Sequence, residues 1–300
     1  MPYRPQVCSD LIKDPQGDGS LGSTREDAIA KGLAVVSGLC WRYDPAVRET
    51  MKRVQDGAIG DIVAIEETYL RGPYRLNVER DPQWSELQWQ LRNWYHFCWL
   101  AGDDILQSLI HNLDKAAWAL QEQPPVSAFG LGGRSSMVEA KHGDQFDHFS
   151  VGFEYANGVS VFAFNRAQPG CFDQTADRIL GTKGIAHMPH RCRIEVGGDT
   201  VWRYDETRET DSMYDVTHQE LFASIRSGEP INNGLYMVRS TMLAIMGRMA
   251  AYSGKKVSWE DTLKSTRRLG PEELSWDSEP PVTPGPDGLY QAPIPGFNFL

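Results

Sequence analysis

The sequence predicts an α+β fold in which an open, largely antiparallel or mixed β-sheet carries helices packed on one face. Three observations predict it. The chain begins with helices and strands, continues as a run of strands from residue 125 to residue 204, and then returns to helices. Residues Ala156, Asn157 and Gly158 separate two alternating apolar segments and form a strong hairpin signal. One helix of the first half has an unusually distinct apolar face, as a helix lying on a sheet requires.

The first ninety residues mix helices and strands. Ser23 or Thr24 is an N-cap candidate for a helix that ends at Gly32. Pro45 opens the next helix, since proline is tolerated at the first helical position. The predicted elements are an irregular tail (1–22), a short helix (23–31), a buried strand (33–39), a helix from residue 45 with Val47, Met51 and Val54 facing inward, a strand (61–70) and a long loop over a site (71–90).

The irregular tail contains two weak motif matches. Gly17, Gly19 and Gly22 match G-x-G-x-x-G, but no buried strand precedes them and no acidic residue follows about 20 residues later. The same stretch resembles a calcium loop, yet Arg25 stands where a bidentate Glu is needed. A plain turn rich in Asp and Gly is the favoured interpretation.

The second half is predicted as strands followed by helices and an extended tail. Short runs with alternating or β-branched residues mark the strands, and methionines at helical spacing mark the packing face of the last long helix. The predicted elements are strands 125–133, 147–155, 159–166, 177–182, 185–188, 192–196 and 200–204, helices 215–227 and 235–252, and a Pro-rich arm at 280–300.

The stretch from residue 92 to residue 120 is the most informative. It joins an aromatic cluster to a helix with two different faces. The apolar face is predicted to hold Ile105, Leu106, Leu109, Ile110, Leu113, Ala116, Ala117 and Leu120. The opposite face holds Asp104, Gln107, His111, Asp114 and Trp118. Two carboxylates in line with a His and a Trp suit the wall of a cleft, and a solvated face that happens to hold a His is the alternative.

Composition limits the function classes. A net charge of −10 and a pI near 5.2 argue against nucleic acid or an anionic membrane as the main partner. The N-terminus lacks a secretory signal and no run of 18 apolar residues occurs, so a cytoplasmic location is expected. Five widely spaced cysteines without a C-x-x-C pair are predicted to be reduced thiols.

The candidate chemistry centres on His111, because an imidazole titrates near neutral pH. Asp114, about one turn later, is predicted to orient it. Hydrogen-bonding and aromatic groups nearby suit a hydroxyl-rich ring, and they are Arg92, Trp94, Tyr95, His96 and His148. A zinc site at His187, His190 and Cys192 is not favoured, because Pro189 interrupts the cluster, and no metal site is predicted.

Several blocks of the sequence are together similar to one known family. They are GLCWRYDPAVRETMKRVQDGAIGDI, RNWYHFCWLAGDDILQSLIHNLDKAAW, FEYANG, GTKG and HQELFASIRSGEPINNGLYMVRSTMLAIMGRMAAYSGKKVSWEDTL. They resemble the Gfo/Idh/MocA oxidoreductases from about residue 28 almost to the C-terminus. The resemblance implies NAD(P)-dependent hydride transfer at a carbinol carbon of a sugar, polyol or glycoside. It also implies a C-terminal α/β domain whose open sheet mediates homo-oligomers.

The resemblance also has departures. The strand with G-x-G-x-x-G, the acidic ribose clamp and the E-K-P motif of the family are not found in the sequence. Residues 23–40 resemble the last helix and strand of its Rossmann domain, and residues 41–279 resemble its C-terminal substrate and oligomerisation domain. Gln107 occupies a position that the family usually fills with Asp or Glu. By resemblance, His111 is the acid or base, and Arg42, Tyr43, Arg92, Asn93 and His148 are weaker cleft candidates.

Three functional readings therefore stay open. The first is an oxidoreductase-family protein acting on a sugar-like substrate, with NAD(P) bound by a separate subunit and the cofactor-binding residues unassigned. The second is a carbohydrate-binding or assembly subunit, or a non-redox acid/base enzyme such as a lyase or epimerase that uses His111. The third is a truncated reading frame.

Overall fold

The computed structural model describes residues 27–74, 78–207, 210–271 and 275–297. The glycine motif, the calcium-like loop and the predicted tail at 1–22 lie outside these residues, as does the start of the predicted first helix. Residues 27–30 are helical, which agrees with the predicted end of that helix.

A nine-stranded sheet forms the centre of the described structure. Its strand order is β8-β7-β6-β5-β1-β4-β3-β2-β9, and among these neighbours only the pair β1 and β4 is parallel. The prediction of an open, largely antiparallel sheet is confirmed. The strands are β1 (Ile62–Arg71), β2 (Ser127–Gly133), β3 (His148–Glu154), β4 (Ser160–Ala167), β5 (Gln174–Gly181), β6 (Gly184–Met188), β7 (Arg193–Val196), β8 (Asp199–Arg203) and β9 (Val257–Ser258).

The helices are α1 (Pro45–Gln55), α2 (Glu86–Arg92), α3 (Cys98–Ala101), α4 (Ile110–Ala119), α5 (Met213–Ser227), α6 (Gly234–Ser253) and α7 (Trp259–Lys264). Among them, α1, α4, α6 and α7 pack against strands of the sheet. A π-helical segment, Ile105–Leu109, leads directly into α4. Three 3₁₀ turns accompany them, Cys40–Tyr43, Trp94–His96 and Ala140–His142.

The alternation of each central strand separates a buried face from a free one. In β4, Val161 and Ala163 are buried against the helices, whereas Phe162 and Phe164 are exposed. The predicted inward residues of α1, Val47, Met51 and Val54, are buried in the same core as the apolar side of α4. The sheet therefore positions α4 and α6 on one side only.

Two sequence predictions are wrong. The run 33–39 is not a strand, because its one ladder contact is an isolated bridge between Val35 and Asn232. The predicted loop 71–90 ends in helix α2, which begins with a reciprocal capping box between Ser85 and Gln88. The S-x-x-Q pattern was a readable signal for this helix.

The Pro-rich arm packs against the aromatic part of the chain. Residues 280–297 contain no helix or strand. Tyr290 is buried, its ring lies edge-on to Phe97 at 4.9 Å, and its hydroxyl donates to Glu86. Over the described ranges, no helix is long and apolar enough to cross a membrane.

Candidate functional site

The start of the α4 helix is set by a sharp backbone turn. Gly102 adopts a left-handed conformation and Asp103 follows with φ +111°, which is unusual for a residue with a side chain. The π-helical turn then places Asp104, Gln107 and Ser108 beside the end of β1. Such turns are frequent at functional sites, because the extra residue redirects neighbouring side chains.

A cleft opens where β1 and β4 end and β3 begins. We call it the polar cleft. Its polar and aromatic lining consists of Arg71, Tyr74, Tyr95, His96, Asp104, Gln107, His142, Gln145 and Asp147. Of the eleven candidate site residues named from the sequence, Tyr95, His96 and Gln107 line this cleft.

Arg71 is the arginine of the cleft, and an ion pair with a carboxylate balances its positive charge. Its guanidinium forms an ion pair with buried Asp104 and donates to Ser108 Oγ at 3.1 Å. The ring of Tyr74 lies against the guanidinium, 3.5 Å from its carbon to the ring centroid. Because Asp104 neutralises Arg71, the cleft does not present an uncompensated cation to a ligand.

Four buried polar atoms of the cleft residues lack a hydrogen-bond partner among the described residues. They are His96 Nε2, Asp104 Oδ2, Gln107 Oε1 and His142 Nδ1. Buried polar atoms are normally satisfied, so each one indicates a ligand or water partner. The cleft thus combines acceptors and imidazole nitrogens in one place, a pattern suited to hydroxyl groups.

The two histidines of the cleft are held neutral. Burial lowers the pKa of His96 to about 4, with smaller contributions from His142 and Arg71. Burial also lowers the pKa of His142. A neutral imidazole has one donor and one acceptor nitrogen, so both rings can exchange hydrogen bonds with an uncharged ligand.

Aromatic rings supply the apolar wall of the cleft. Tyr95 meets Tyr74 edge-on, with 5.1 Å between ring centroids. The carbonyl oxygen of Tyr95 accepts from Gln107 Nε2 at 2.6 Å and from Gln145 Nε2 at 2.8 Å. The amide orientation of Gln107 is thereby fixed, with Oε1 left for another donor.

His111 lies on α4, one turn beyond Gln107. Burial lowers its pKa to about 4, and the nearby charge of Lys115 adds to this effect while Asp114 opposes it. Lys115 is fully buried, pairs with Asp177 at 3.2 Å and donates to the His111 carbonyl oxygen at 2.8 Å. The His111 ring is therefore neutral at pH 7 and able to accept a proton.

The predicted orientation of His111 by Asp114 is wrong. The Asp114 carboxylate accepts from Arg42 Nη2 at 2.8 Å and from Ser240 Oγ at 2.7 Å. His111 Nδ1 is buried and lacks a partner within the described structure. A spacing of three residues puts both side chains near each other on the helix, but the Arg42 guanidinium competes more strongly for the carboxylate.

Arg42 and Tyr43 stabilise the structure rather than line the cleft. Arg42 also pairs with Glu122 at 2.7 Å and stacks on the ring of Tyr236. Tyr43 is buried, and its hydroxyl accepts from Asn233 Nδ2 at 2.7 Å. Neither residue is among those that line the polar cleft, where the resemblance leads one to expect them.

The other predicted residues surround the cleft without lining it. Arg92 is exposed and stacks on Trp84, and Trp94 is half-exposed. Asn93 is buried and donates to the Lys141 carbonyl oxygen at 2.8 Å. Their adjacency to Tyr95 in sequence does not bring them into the cleft, because Arg92 and Asn93 belong to the end of α2 and the 3₁₀ turn begins only at Trp94.

His148 begins β3 and pairs with Asp147, the cleft residue next to it. Its Nδ1 lies 2.7 Å from Asp147 Oδ1. Burial disfavours the charge on Asp147, but the amide of Ser136 and the His148 ring outweigh it and hold the pKa of Asp147 well below its usual range. In the sheet register, His148 lies opposite Gly133 and Arg166.

Sequence reasoning missed Arg71, Tyr74, His142 and Asp147. Arg71 and Asp147 stand at the ends of predicted strands, where polar residues of neighbouring strands meet, and this position was a usable signal. Tyr74 and His142 lie in loops, and no local pattern connects them to the cleft.

Among the described residues, segment 33–39 makes an isolated bridge to Asn232 and no strand leading into a helix. Among these residues no group of three or more His, Cys, Asp or Glu could hold a metal. His187 instead pairs with Glu195 at 3.1 Å, and His190 lies edge-on to Trp41.

Comparisons with solved structures show that the chain has the fold of the C-terminal region of Gfo/Idh/MocA-type oxidoreductases. An aldose-aldose oxidoreductase from Caulobacter crescentus is 19% identical, with TM-score 0.59, 78% of this chain covered and 68% of that chain. An oxidoreductase from Agrobacterium radiobacter in complex with NAD+, L-tartaric acid and magnesium is 16% identical, with TM-score 0.56 and coverages of 84% and 77%.

The super-repressor mutant of Gal80p from Saccharomyces cerevisiae has the same fold. It is 14% identical, with TM-score 0.60, 82% of this chain covered and 70% of that chain. No family model and no curated protein matches the sequence. The likeness at these identities concerns the fold.

Proposed function

We propose that the chain is the substrate-binding part of an NAD(P)-linked oxidoreductase that acts on a sugar, polyol or glycoside. One observation carries the proposal. Four residues that line the polar cleft each carry a buried polar atom without a hydrogen-bond partner among the described residues, where β1 ends and the helix of His111 begins. The fold similarity to an aldose-aldose oxidoreductase supports the same substrate class.

The chemistry of the cleft favours an uncharged, hydroxyl-rich ligand. Asp104 and Gln107 offer acceptor oxygens, the neutral His96 and His142 rings offer nitrogens, and Tyr95 offers a flat apolar surface. An anionic ligand would have to compete with Asp104, which already forms an ion pair with Arg71. Sugars and polyols combine hydroxyl groups with an apolar C–H face and fit this lining.

In this proposal His111 is the base. Its neutral imidazole accepts the proton of the substrate hydroxyl during oxidation and returns it in the reverse direction. NAD(P), whose binding residues are unassigned, would accept the hydride from the same carbon. Gln107, where the family has a carboxylate, acts as a hydrogen-bonding group only.

A second candidate is a non-catalytic sugar-binding or regulatory role. Gln107 favours it, since an amide cannot take part in proton transfer as a carboxylate can. The fold similarity to the Gal80p super-repressor mutant supports the same alternative. In both candidates a ligand binds in the polar cleft. They differ in whether His111 then acts as a catalytic base on that ligand.

Ligand titration of the full chain tests the proposal. We expect myo-inositol or glucose to bind saturably by calorimetry, and His142→Gln to weaken binding by about fivefold, the effect of one hydrogen bond of about 1 kcal/mol. His218→Gln, at an exposed helix position, is the matched control and should bind as the wild type does. Absence of sugar or polyol binding up to about 10 mM, a free energy weaker than about −3 kcal/mol, contradicts both candidates.

Turnover separates the two candidates. With NAD+ or NADP+ and a bound sugar, the oxidoreductase forms NADH or NADPH, and His111→Ala abolishes this without abolishing sugar binding. A chain that binds sugar with an unchanged affinity in His111→Ala and never reduces either nucleotide is a binding protein.

The free face of the sheet is proposed to pair with a second copy of the chain. Phe129 and Leu131 on β2 and Phe162 and Phe164 on β4 are exposed, on the two strands that flank β3. Gly152 lies between Phe129 and Phe162, and a Cβ there would meet the Phe129 ring at 2.6 Å. An apolar patch across the middle of a sheet is typical of a protein interface.

A further inference from the structure

A second cavity lies between α6, α7 and residues 265–269, and the proposed function does not use it. We call it the α6 cavity. Leu106 lines this cavity, whereas its neighbour Gln107 lines the polar cleft. Its free volume is about 70 Å³, enough for a few non-hydrogen atoms.

The walls of the α6 cavity are mainly apolar. Met242, Ile245 and Met249 lie along one face of α6, and Leu106 and Leu269 complete the apolar surface. Thioether side chains adapt to the shape of what they contact. These walls therefore fit a short hydrocarbon group.

The polar group of the α6 cavity is a buried guanidinium. Arg248 is 8% exposed, and its Nε has no hydrogen-bond partner within the described residues. Its guanidinium carbon lies 4.0 Å from the centroid of the Tyr252 ring, which covers one face. A buried guanidinium with an unsatisfied donor is a costly arrangement unless an acceptor binds it.

The nearest carboxylates are already engaged. Asp103 Oδ2 accepts from the Tyr252 hydroxyl and from the Phe146 amide, the latter at 3.2 Å. Asp144 Oδ1 accepts from the Cys98 amide at 2.8 Å. Burial raises the pKa of Asp103 to about 7 even though Arg248 opposes the shift. These acceptors leave the Nε of Arg248 without a hydrogen-bond partner among the described residues.

A second arginine lines the same cavity. Burial and the charge of Arg248 both lower the pKa of Arg267, which means that the two guanidinium groups repel each other. Guanidinium groups bind planar carboxylates with two parallel hydrogen bonds.

We propose that the α6 cavity binds a short-chain aliphatic carboxylate, with its carboxylate on Arg248 and its hydrocarbon part against Met242, Ile245 and Met249. Inorganic phosphate has the charge but no apolar part for these walls. A short alcohol has the apolar part but no charge for Arg248. The lining therefore favours a ligand that has both a negative charge and an apolar part.

Methyl NMR of the full chain with ¹³C-labelled methionine methyl groups tests this proposal. Butanoate is the probe, added to about 10 mM, which fills nine-tenths of a site with a Kd of about 1 mM. We expect saturable shifts of the Met242 and Met249 signals. Equal shifts with 1-butanol, or with inorganic phosphate, would overturn the carboxylate assignment, and so would no shift with butanoate.

Two variants of Arg248 make the test specific. Arg248→Met is expected to abolish the butanoate shifts, and Arg248→Lys to weaken binding at least fivefold, because lysine keeps the charge but not the paired donors. Arg226→Met is the matched control, since Arg226 is exposed and also lies over an aromatic ring, that of Phe222. If Arg248→Met does not fold, unchanged binding in Arg248→Lys still overturns the proposal. Sugar binding in the polar cleft is a separate measurement, so failure of one site leaves the other intact.

Discussion

The His111 ring is neutral because the fold buries it away from water and places the positive charge of Lys115 nearby. The pKa of the ring is about 4 in the folded chain and near 6.5 when unfolded. In acid the unfolded chain therefore binds a proton that the folded chain does not. The contribution of His111 to stability is complete above pH 6.5 and is lost as the pH falls toward 4.

This difference predicts a pH-dependent stability. Between pH 7.5 and pH 5 the wild-type chain should lose about 2 kcal/mol more than His111→Gln, which has no titrating ring. Urea unfolding of both proteins at the two pH values measures it. Comparison with the variant cancels the opposite contribution of Asp103, whose raised pKa favours the folded state at low pH. Parallel pH profiles for the two proteins would show that His111 is not held neutral by the fold.

At the scale of elements, Asp114 joins three parts of the chain. It lies on α4, accepts from Arg42 in the 3₁₀ turn and accepts from Ser240 on α6. Its side chain is 1% exposed, and that of Arg42 is 12% exposed. The carboxylate therefore holds the helix of His111 in place from the end remote from Gln107.

Removing this carboxylate is expected to be costly. Asp114→Ala leaves Arg42 buried with Glu122 alone, and breaking a buried ion pair typically costs 3–5 kcal/mol. Chemical denaturation measures the loss. The control is Glu49→Ala on α1, where the partner Arg53 lies four residues away and both side chains are substantially exposed, so that a few tenths of a kcal/mol are expected. A similar loss in both variants would mean that Asp114 is not a structural anchor.

At the scale of the whole molecule, all the helices that contact the central strands leave the same sheet face uncovered. Leu131 is 75% exposed there, beside the half-exposed Phe129 and Phe162. Apolar exposure of this extent on central strands is unusual for a monomer. It is the physical basis for the proposed pairing of two copies.

Sedimentation velocity tests this pairing. We expect the wild-type chain to self-associate and Leu131→Arg to weaken the association by at least about tenfold, because a charge would be buried in the interface. Phe222→Arg is the control, since Phe222 is comparably exposed on α5 rather than on the sheet. The proposal is contradicted if the wild-type chain stays monomeric at about 100 µM. It is also contradicted if the two substitutions weaken self-association equally.

Much of the fold was readable from local patterns. The alternation in β3 and β4, the Ala156-Asn157-Gly158 turn and the apolar stripe of α4 each depend on neighbours in the chain, and the structure confirms them. The strand predicted at 33–39 is not formed, because a strand needs a neighbouring strand to hydrogen-bond with, and apolar composition alone does not provide one. The capping box of α2 was overlooked although Ser85 and Gln88 were visible.

Only part of the candidate site could be predicted from the sequence, because the rest depends on contacts between distant parts of the chain. Periodicity placed Gln107 and His111 on the polar side of one helix, because that depends on spacing alone. Which partner Asp114 takes, and which loops bring Tyr74 and His142 to Arg71, depends on groups far apart in the chain. Hydrogen-bond competition and burial are properties of the packed molecule. The sequence by itself determined the sheet, the central helix and the candidate base, whereas the tertiary structure alone decided the lining of the cleft and the exposure of Arg248 to its cavity.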